Sequence, residues 1–320
     1  MTNVLFILLG IALLTTGGEA LIRGALAAAR RLGISPLLSG LVIVGFGTSA
    51  PEMVVSVDAA LSERPDIAIG NVVGSNIGNI LLILGACALI TPLAVQALAL
   101  RRDASMVVAA SVLFPLLAWG DALGRPDGII LLAGLLAYLV WAYRSERARG
   151  GPSAELHQAE ADELSRVPKS VLAISAFCVT GLLLLIAGSR VLLLGAIGIA
   201  QQLGLSEALI GLTLVAVGTS LPEFSICIIA ALRRHADVAV GNVLGSNIFN
   251  LMGILGLSAL LQPLPIHGRV LQFDQWVMLG AAVVALLFLY TGRSLGRLEG
   301  GLLFAGYIVY GVISFTVFGR

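Results

Sequence analysis

Residues 40–85 align with residues 211–256 without a gap, and roughly half of the aligned positions are identical. The offset of 171 residues, Gly40 onto Gly211, also holds upstream, where RRLGISPLLSG (30–40) matches QQLGLSEALIG (201–211). Two copies of one unit therefore make up the chain. Each copy is a series of about five apolar runs. They lie near 2–30, 38–62, 67–95, 103–120 and 127–144 in the first, and near 170–200, 209–232, 238–262, 273–292 and 298–318 in the second. Runs of about twenty residues suit a hydrocarbon core ~30 Å thick. Mean hydropathy is +1.01, and only 12% of residues are charged, against ~25% in a soluble domain. The expected fold is an all-α polytopic membrane protein of about ten transmembrane helices. A barrel would need short alternating segments, which are absent.

The organisation follows from the repeat. Residues 1–144 form the first copy and 170–320 the second, joined by a polar linker at 145–169 that is charged and poor in apolar residues. An odd number of spans per copy makes the two copies enter the membrane in opposite senses. The basic residues agree: fourteen of nineteen fall on one side of this layout, the linker arginines and Arg233 and Arg234 among them. The positive-inside rule makes that side cytoplasmic and puts both termini outside. Matched hairpins also differ in charge bias, SERPD (62–66) against RRHAD (233–237), as inversion predicts. The expected location is a cell membrane, of the bacterial inner-membrane type for so compact a chain. The N-terminal run lacks a basic leader and continues past Gly18 as a first span rather than a signal peptide.

Two motifs recur inside the apolar runs. GFGTSAPEMVVSV (45–57) and AVGTSLPEFSICI (216–228) each carry a proline followed by a glutamate. Pro51 and Pro222 lack an N–H and clash with the carbonyl four residues back, so each should break its helix and free carbonyl oxygen there. Thr48, Ser49, Thr219 and Ser220 add hydroxyls beside the breaks. Glu52 and Glu223 add charge where an acid costs on the order of 3 kcal/mol on insertion scales, which marks a functional position. The second motif is GNVVGSNIGN (70–79) and GNVLGSNIFN (241–250). Ser75 and Asn79, like Ser246 and Asn250, are four apart and share one helix face. Gly70, Gly74, Gly241 and Gly245 form small-residue stripes for close helix approach, and Asn71, Asn76, Asn242 and Asn247 suit hydrogen bonding between helices. The inventory is carboxylates, hydroxyls, amides and carbonyls, an oxygen set that fits hard cations such as Ca²⁺.

Other features point away from competing chemistries. A net charge of +1 suggests no nucleic-acid partner, and no obligate protein partner is indicated. Cys87, Cys178 and Cys227 are scattered in apolar runs with neither disulfide nor zinc spacing. His157, His235 and His267 fall in linker or loop positions, and no nucleophile–base set supports an enzyme. Asp58 lies six residues past Glu52, with Ile229 at its matched position, and suits the outer water interface or a vestibule. Glu19 and Arg23 are spaced to pair on a helix. Arg190 stands at the position matched to Glu19 and suits snorkelling to the outer surface.

The paired GTSxPE and GNxxGSNIxN blocks resemble the two α-repeats of the sodium/calcium exchanger family, within the cation/Ca²⁺ antiporter superfamily. The resemblance implies a ten-helix inverted-repeat fold and exchange of Ca²⁺ for Na⁺ by alternating access, with these ions as substrates and no cofactor. It further implies Glu52 and Glu223 as central Ca²⁺ ligands. It extends ligation to Thr48, Ser49, Ser75, Asn79, Thr219, Ser220, Ser246 and Asn250, with carbonyls near Gly45 and Ala216. Some members carry aspartate where this chain has Asn250, so its site has one ionisable group fewer. Coupling to protons, which the same glutamates can carry, or a dependence on K⁺ stays open, as does, further off, a cation channel.

Overall fold

A computed structural model describes residues 2–32, 47–94, 97–147, 170–232, 236–266, 268–292 and 294–318. In the first half, α1 is Thr2–Arg31, α2 Ala50–Leu61, α3 Pro65–Ile90, α4 Ala97–Leu117 and α5 Arg125–Arg147. In the second, α6 is Val171–Leu203, α7 Glu207–Thr219 and α8 Leu221–Leu232. Helix α9 runs through Ala236–Ile248, Phe249–Ile254 and Leu255–Leu261, α10 through Val270–Asp274 and Gln275–Gly292, and α11 is Arg297–Val317. Eight helices among the described residues are long and apolar enough to cross a membrane, and α7 with α8 forms a further span bent by 50°. Helix α2 aligns in sequence with α8, while residues 33–46, Gly45 among them, and linker residues 148–169 lie outside the described residues.

Local chemistry sets the helix ends. Pro65 opens α3 at a position where its missing N–H costs nothing. Ser170 and Ser206 cap α6 and α7 by accepting from the N–H groups of Ala173 and Leu209. Gly204, at φ 65°, stops α6 in the left-handed conformation. The breaks before the glutamates fall at Ser49 (φ −84°, ψ 11°) and Ser220 (φ −82°, ψ 10°), two residues ahead of the prolines. Pro51 and Pro222 thus sit in the first turn of the new helix, where proline is tolerated.

The innermost helices are α3 and α9. In each, 78% of the most apolar window is buried, against 22–39% in the other long spans. They carry the two asparagine motifs, so the polar residues lie as far from lipid as the molecule allows. Around them the copies interleave: α5 of the first packs on the end of α9, and α11 of the second on the end of α3. Two short antiparallel ribbons join the copies as well. Leu93 and Ala94 (β1) pair with Leu295 and Ser294 (β4), and Ala122 and Leu123 (β2) pair with Pro265 and Leu264 (β3).

Helices α1 and α6 pack backbone to backbone and antiparallel. A Cβ on Gly10 would lie 2.6 Å from Leu192 N, one on Gly17 2.9 Å from Gly181 O, and one on Gly24 2.9 Å from Cys178 N. Reciprocally, Gly181, Gly188 and Gly195 face Leu21, Leu14 and Asn3. The six glycines recur every seven residues and match at the 171-residue offset. Further out, matched carboxylates pin the peripheral spans. Tyr138 donates to Asp103 and Tyr310 to Asp274, each at 2.9 Å, with Arg102 and Arg269 bound to the same acids. Glu19 pairs with Arg23, Arg190 is exposed, and Arg64 pairs with Glu207 across the copies.

Candidate cation site

The break at Ser49 turns the hydroxyl of one copy toward the carboxylate of the other. Ser49 Oγ donates to Glu223 Oε1 at 2.9 Å, and Ser220 Oγ donates to Glu52 Oε1 at 2.8 Å. These bonds are equivalent under the 171-residue offset, so the breaks of the two copies meet crosswise. Both glutamates are fully buried, and Thr48, Ser49, Thr219, Ser75, Ser246, Asn79 and Asn250 are each no more than 1% exposed. Ser246 lies 3.4 Å from both Glu223 Oε1 and Thr48 Oγ1, and Ser75 lies 3.0 Å from Ser220 Oγ. The side chains expected from sequence are thus all buried, with one hydrogen-bonded set around Glu223 and a second around Glu52. Ala216, buried with them, has its carbonyl in reach of Ser220 N–H at 3.0 Å, Thr219 Oγ1 at 3.2 Å and Ser75 Oγ at 3.4 Å.

Asparagines outside this set hold it in place. Asn71 gives its amide protons to Ser56 Oγ (2.9 Å) and the Glu52 carbonyl (3.3 Å), and its Oδ1 lies 3.1 Å from Thr219 Oγ1. Asn242 does the matched work, donating to Cys227 Sγ and facing Thr48. Asn79 donates to Asn247 Oδ1 at 3.0 Å, and Asn250 donates to Asn76 Oδ1 at 3.3 Å. Because the amide nitrogens of Asn79 and Asn250 are used between the copies, their oxygens are left over. Asn79 Oδ1, Asn250 Oδ1, Glu52 Oε2 and Glu223 Oε2 are all buried and have no hydrogen-bond partner among the described residues.

Four buried acceptors without a donor are costly unless something positive meets them. Two carboxylates supply two negative charges, and the neighbouring hydroxyls can turn their lone pairs inward. Such a set suits Ca²⁺, which takes six to eight oxygens in flexible geometry. Carboxylate, hydroxyl and amide oxygens suit a hard cation better than a softer transition metal.

Four π-helical turns among the described residues were not expected. They span Asn79–Leu84, Gly211–Val215, Phe249–Ile254 and Val270–Asp274. Two begin at or beside Asn79 and Asn250, where the widened turn shifts the face that the following residues present. The sequence carries no local signal for them. Asp58 accepts from the buried hydroxyl of Ser189 on α6 at 2.9 Å, a partner that spacing alone does not reveal.

These features define a class: a polytopic helical membrane protein with a buried cluster of oxygen groups contributed by two related halves. The sodium/calcium exchanger protein family matches residues 2–144 and again 174–316. CaxA of Alkalimonas amylolytica is 38% identical over 98% of both chains. The sodium/calcium exchanger MaX1 of Methanosarcina acetivorans is 31% identical over 98% of this chain and 99% of its own. Among solved structures, the sodium-calcium exchanger NCX_Mj, soaked with Na⁺ and Ca²⁺, matches with a TM-score of 0.66 and 31% identity over 97% of each chain. The chain belongs to the sodium/calcium exchanger family. It is a membrane protein of a cation/Ca²⁺ antiport family, not of an enzyme family.

Proposed function

We propose that the chain exchanges Ca²⁺ for Na⁺ across a cell membrane by alternating access. Ca²⁺ binds between Glu52 and Glu223, and Na⁺ ions use the same carboxylates with the hydroxyls and amides around them. Two negative charges neutralise one Ca²⁺ or share out among monovalent ions, but cannot hold both loads, so one ion must leave before the other binds. The observation that carries this reading is the set of four buried acceptors, one carboxylate and one amide oxygen from each copy, with no donor among the described residues. Ten spans in two inverted repeats, 1–144 and 170–320, place that set near the midplane. The antiparallel run of α1 and α6, matched helices of the two copies, supports the inversion. In this layout the linker at 145–169 is cytoplasmic and both termini are outside.

Proteoliposomes loaded with Na⁺ and diluted into Na⁺-free buffer, with pH clamped equal on both sides, test the coupling. Na⁺-loaded vesicles are expected to accumulate ⁴⁵Ca²⁺, and vesicles loaded with choline are not. Uptake driven only by an imposed pH gradient would instead assign proton coupling to the same two glutamates. Ca²⁺ flux that needs no counter-ion would make the protein a channel.

A further inference from the structure

The two copies differ where they would be expected to agree. At the second motif the first copy reads Gly78-Asn79, with Leu82 one turn on. The second reads Phe249-Asn250, with Gly253 at the place matched to Leu82. The Phe249 ring lies against Gly253, within 2.7 Å of where a Cβ there would stand, so a phenyl ring fills that part of the second copy. In the first copy a Cβ on Gly78 would meet nothing nearer than a Tyr307 ring carbon at 3.9 Å. Gly78 and Leu82 there border a cavity of about 140 Å³, between the middle of α3 and the bend where α7 meets α8. Ile83, Val217, Leu221 and Phe224 are among its walls. Val217 lies near the middle of the Glu207–Leu232 span and is 39% exposed, so the cavity borders the outside of the molecule at acyl-chain depth.

We propose that this cavity binds the end of a membrane lipid's hydrocarbon chain, which enters from the bilayer past Val217. The medium at that depth is hydrocarbon. An apolar cavity of ~150 Å³ stays dry and takes up a molecule the size of benzene, so this one suits about six carbons of a chain. The polar groups beside it offer water little. The Ser75 and Ser220 hydroxyls lie 3.0 Å apart, bonded to one another, and Ser220 also donates to Glu52. A buried water needs about two to four polar partners of its own. The second copy supplies its own apolar filling at the matched place, the Phe249 ring, and Gly78 leaves that place to a guest. A chain end held there keeps water from the Ser220 flank of the acidic pair.

The test is photolabelling in proteoliposomes, read by peptide mass spectrometry. The probe is a phosphatidylcholine with a diazirine at the end of one acyl chain. Ser75 and Ile83 are the reporters, because they are 1% and 2% exposed and lipid touches them only by entering the cavity. Adducts at both are expected from this probe, and none from a phosphatidylcholine whose diazirine sits beside the headgroup. Gly78→Phe is expected to lower them at least tenfold while leaving adducts at Leu136, an exposed residue of α5, unchanged. Should Gly78→Phe fail to fold, Val217→Trp narrows the mouth from the lipid side and is expected to lower the same adducts. Labelling of Leu136 without Ser75 and Ile83, or adducts that survive the substitution, would overturn the proposal. So would rapid modification of Gly78→Cys by a charged, water-soluble methanethiosulfonate, since water would then fill the cavity. Adducts that vanish as the protein is crowded in the bilayer would mean that a second copy covers the opening, and would overturn it too. No readout here involves Ca²⁺ or Na⁺, so the lipid site stands or falls apart from the exchange reading.

Discussion

Glu52→Gln is expected to abolish Ca²⁺ transport while leaving the protein folded, and Glu223→Gln to do the same. The amide keeps the shape of the carboxylate and can still accept from Ser220 or Ser49 through its oxygen. What it loses is one of two negative charges facing the same buried space. A unit charge pair about 4 Å apart interacts by ~4 kcal/mol at an effective dielectric of ~20. Losing one such interaction lowers affinity by on the order of 1,000-fold for a singly charged ion, and by more for a divalent one. Because the crossed bonds make the two acids equivalent, the variants should fail to a similar degree. The check is Na⁺-driven ⁴⁵Ca²⁺ uptake beside size-exclusion profiles and helical content of each variant. Full transport in either variant would remove that glutamate from the site.

Gly74→Ala carries the largest expected effect on the scaffold. The added Cβ would lie 2.4 Å from Leu212 O and 2.7 Å from Leu212 Cα, both backbone atoms of α7. Backbone cannot turn aside as the end of a side chain can, so α3 and α7 must separate. Overpacking of this kind costs roughly 1–3 kcal/mol. Here it also spreads Ser75, the next residue, from Ser220 and the Ala216 carbonyl. A melting temperature several degrees lower in detergent is expected, together with weakened Ca²⁺ binding. Gly306→Ala is the matched control: its Cβ would meet only a Leu81 methyl at 3.8 Å, and stability should change little. An unchanged melting temperature for Gly74→Ala would show that α3 and α7 are not held this closely.

Much of the buried polar cluster was legible because its residues stand against their surroundings. A glutamate in an apolar run is conspicuous, and two of them 171 residues apart, each behind a proline, single out one another. The shared helix face of Ser75 and Asn79, and of Ser246 and Asn250, follows from their four-residue spacing. The reading of Asn71, Asn76, Asn242 and Asn247 as bonds between helices agrees with the network described above. The exact place of the breaks was not legible, since proline restricts the residue before it as well as its own turn, and the kink settles at Ser49 and Ser220. The π-helical turns are set by how α3 and α9 meet their neighbours, not by any residue pattern. The two-residue ribbons pair residues some 140–200 positions apart, beyond any local signal. The seven-residue glycine spacing of α1 and α6 was present, but in a chain with 38 glycines it does not stand out until the two helices are seen touching. Tyr138 and Tyr310 were likewise hidden, because their matched roles depend on Asp103 and Asp274 from a different helix.

The proposed exchange requires one space between Glu52 and Glu223, contested by the two kinds of ion. Crystals of the protein soaked in Sr²⁺, a heavier stand-in for Ca²⁺, with and without excess Na⁺, examine that space by anomalous scattering. The expected result is a single strong peak within bonding distance of both carboxylates, which disappears as Na⁺ is raised. A peak bound to only one of the glutamates, or one that persists unchanged in saturating Na⁺, would contradict it.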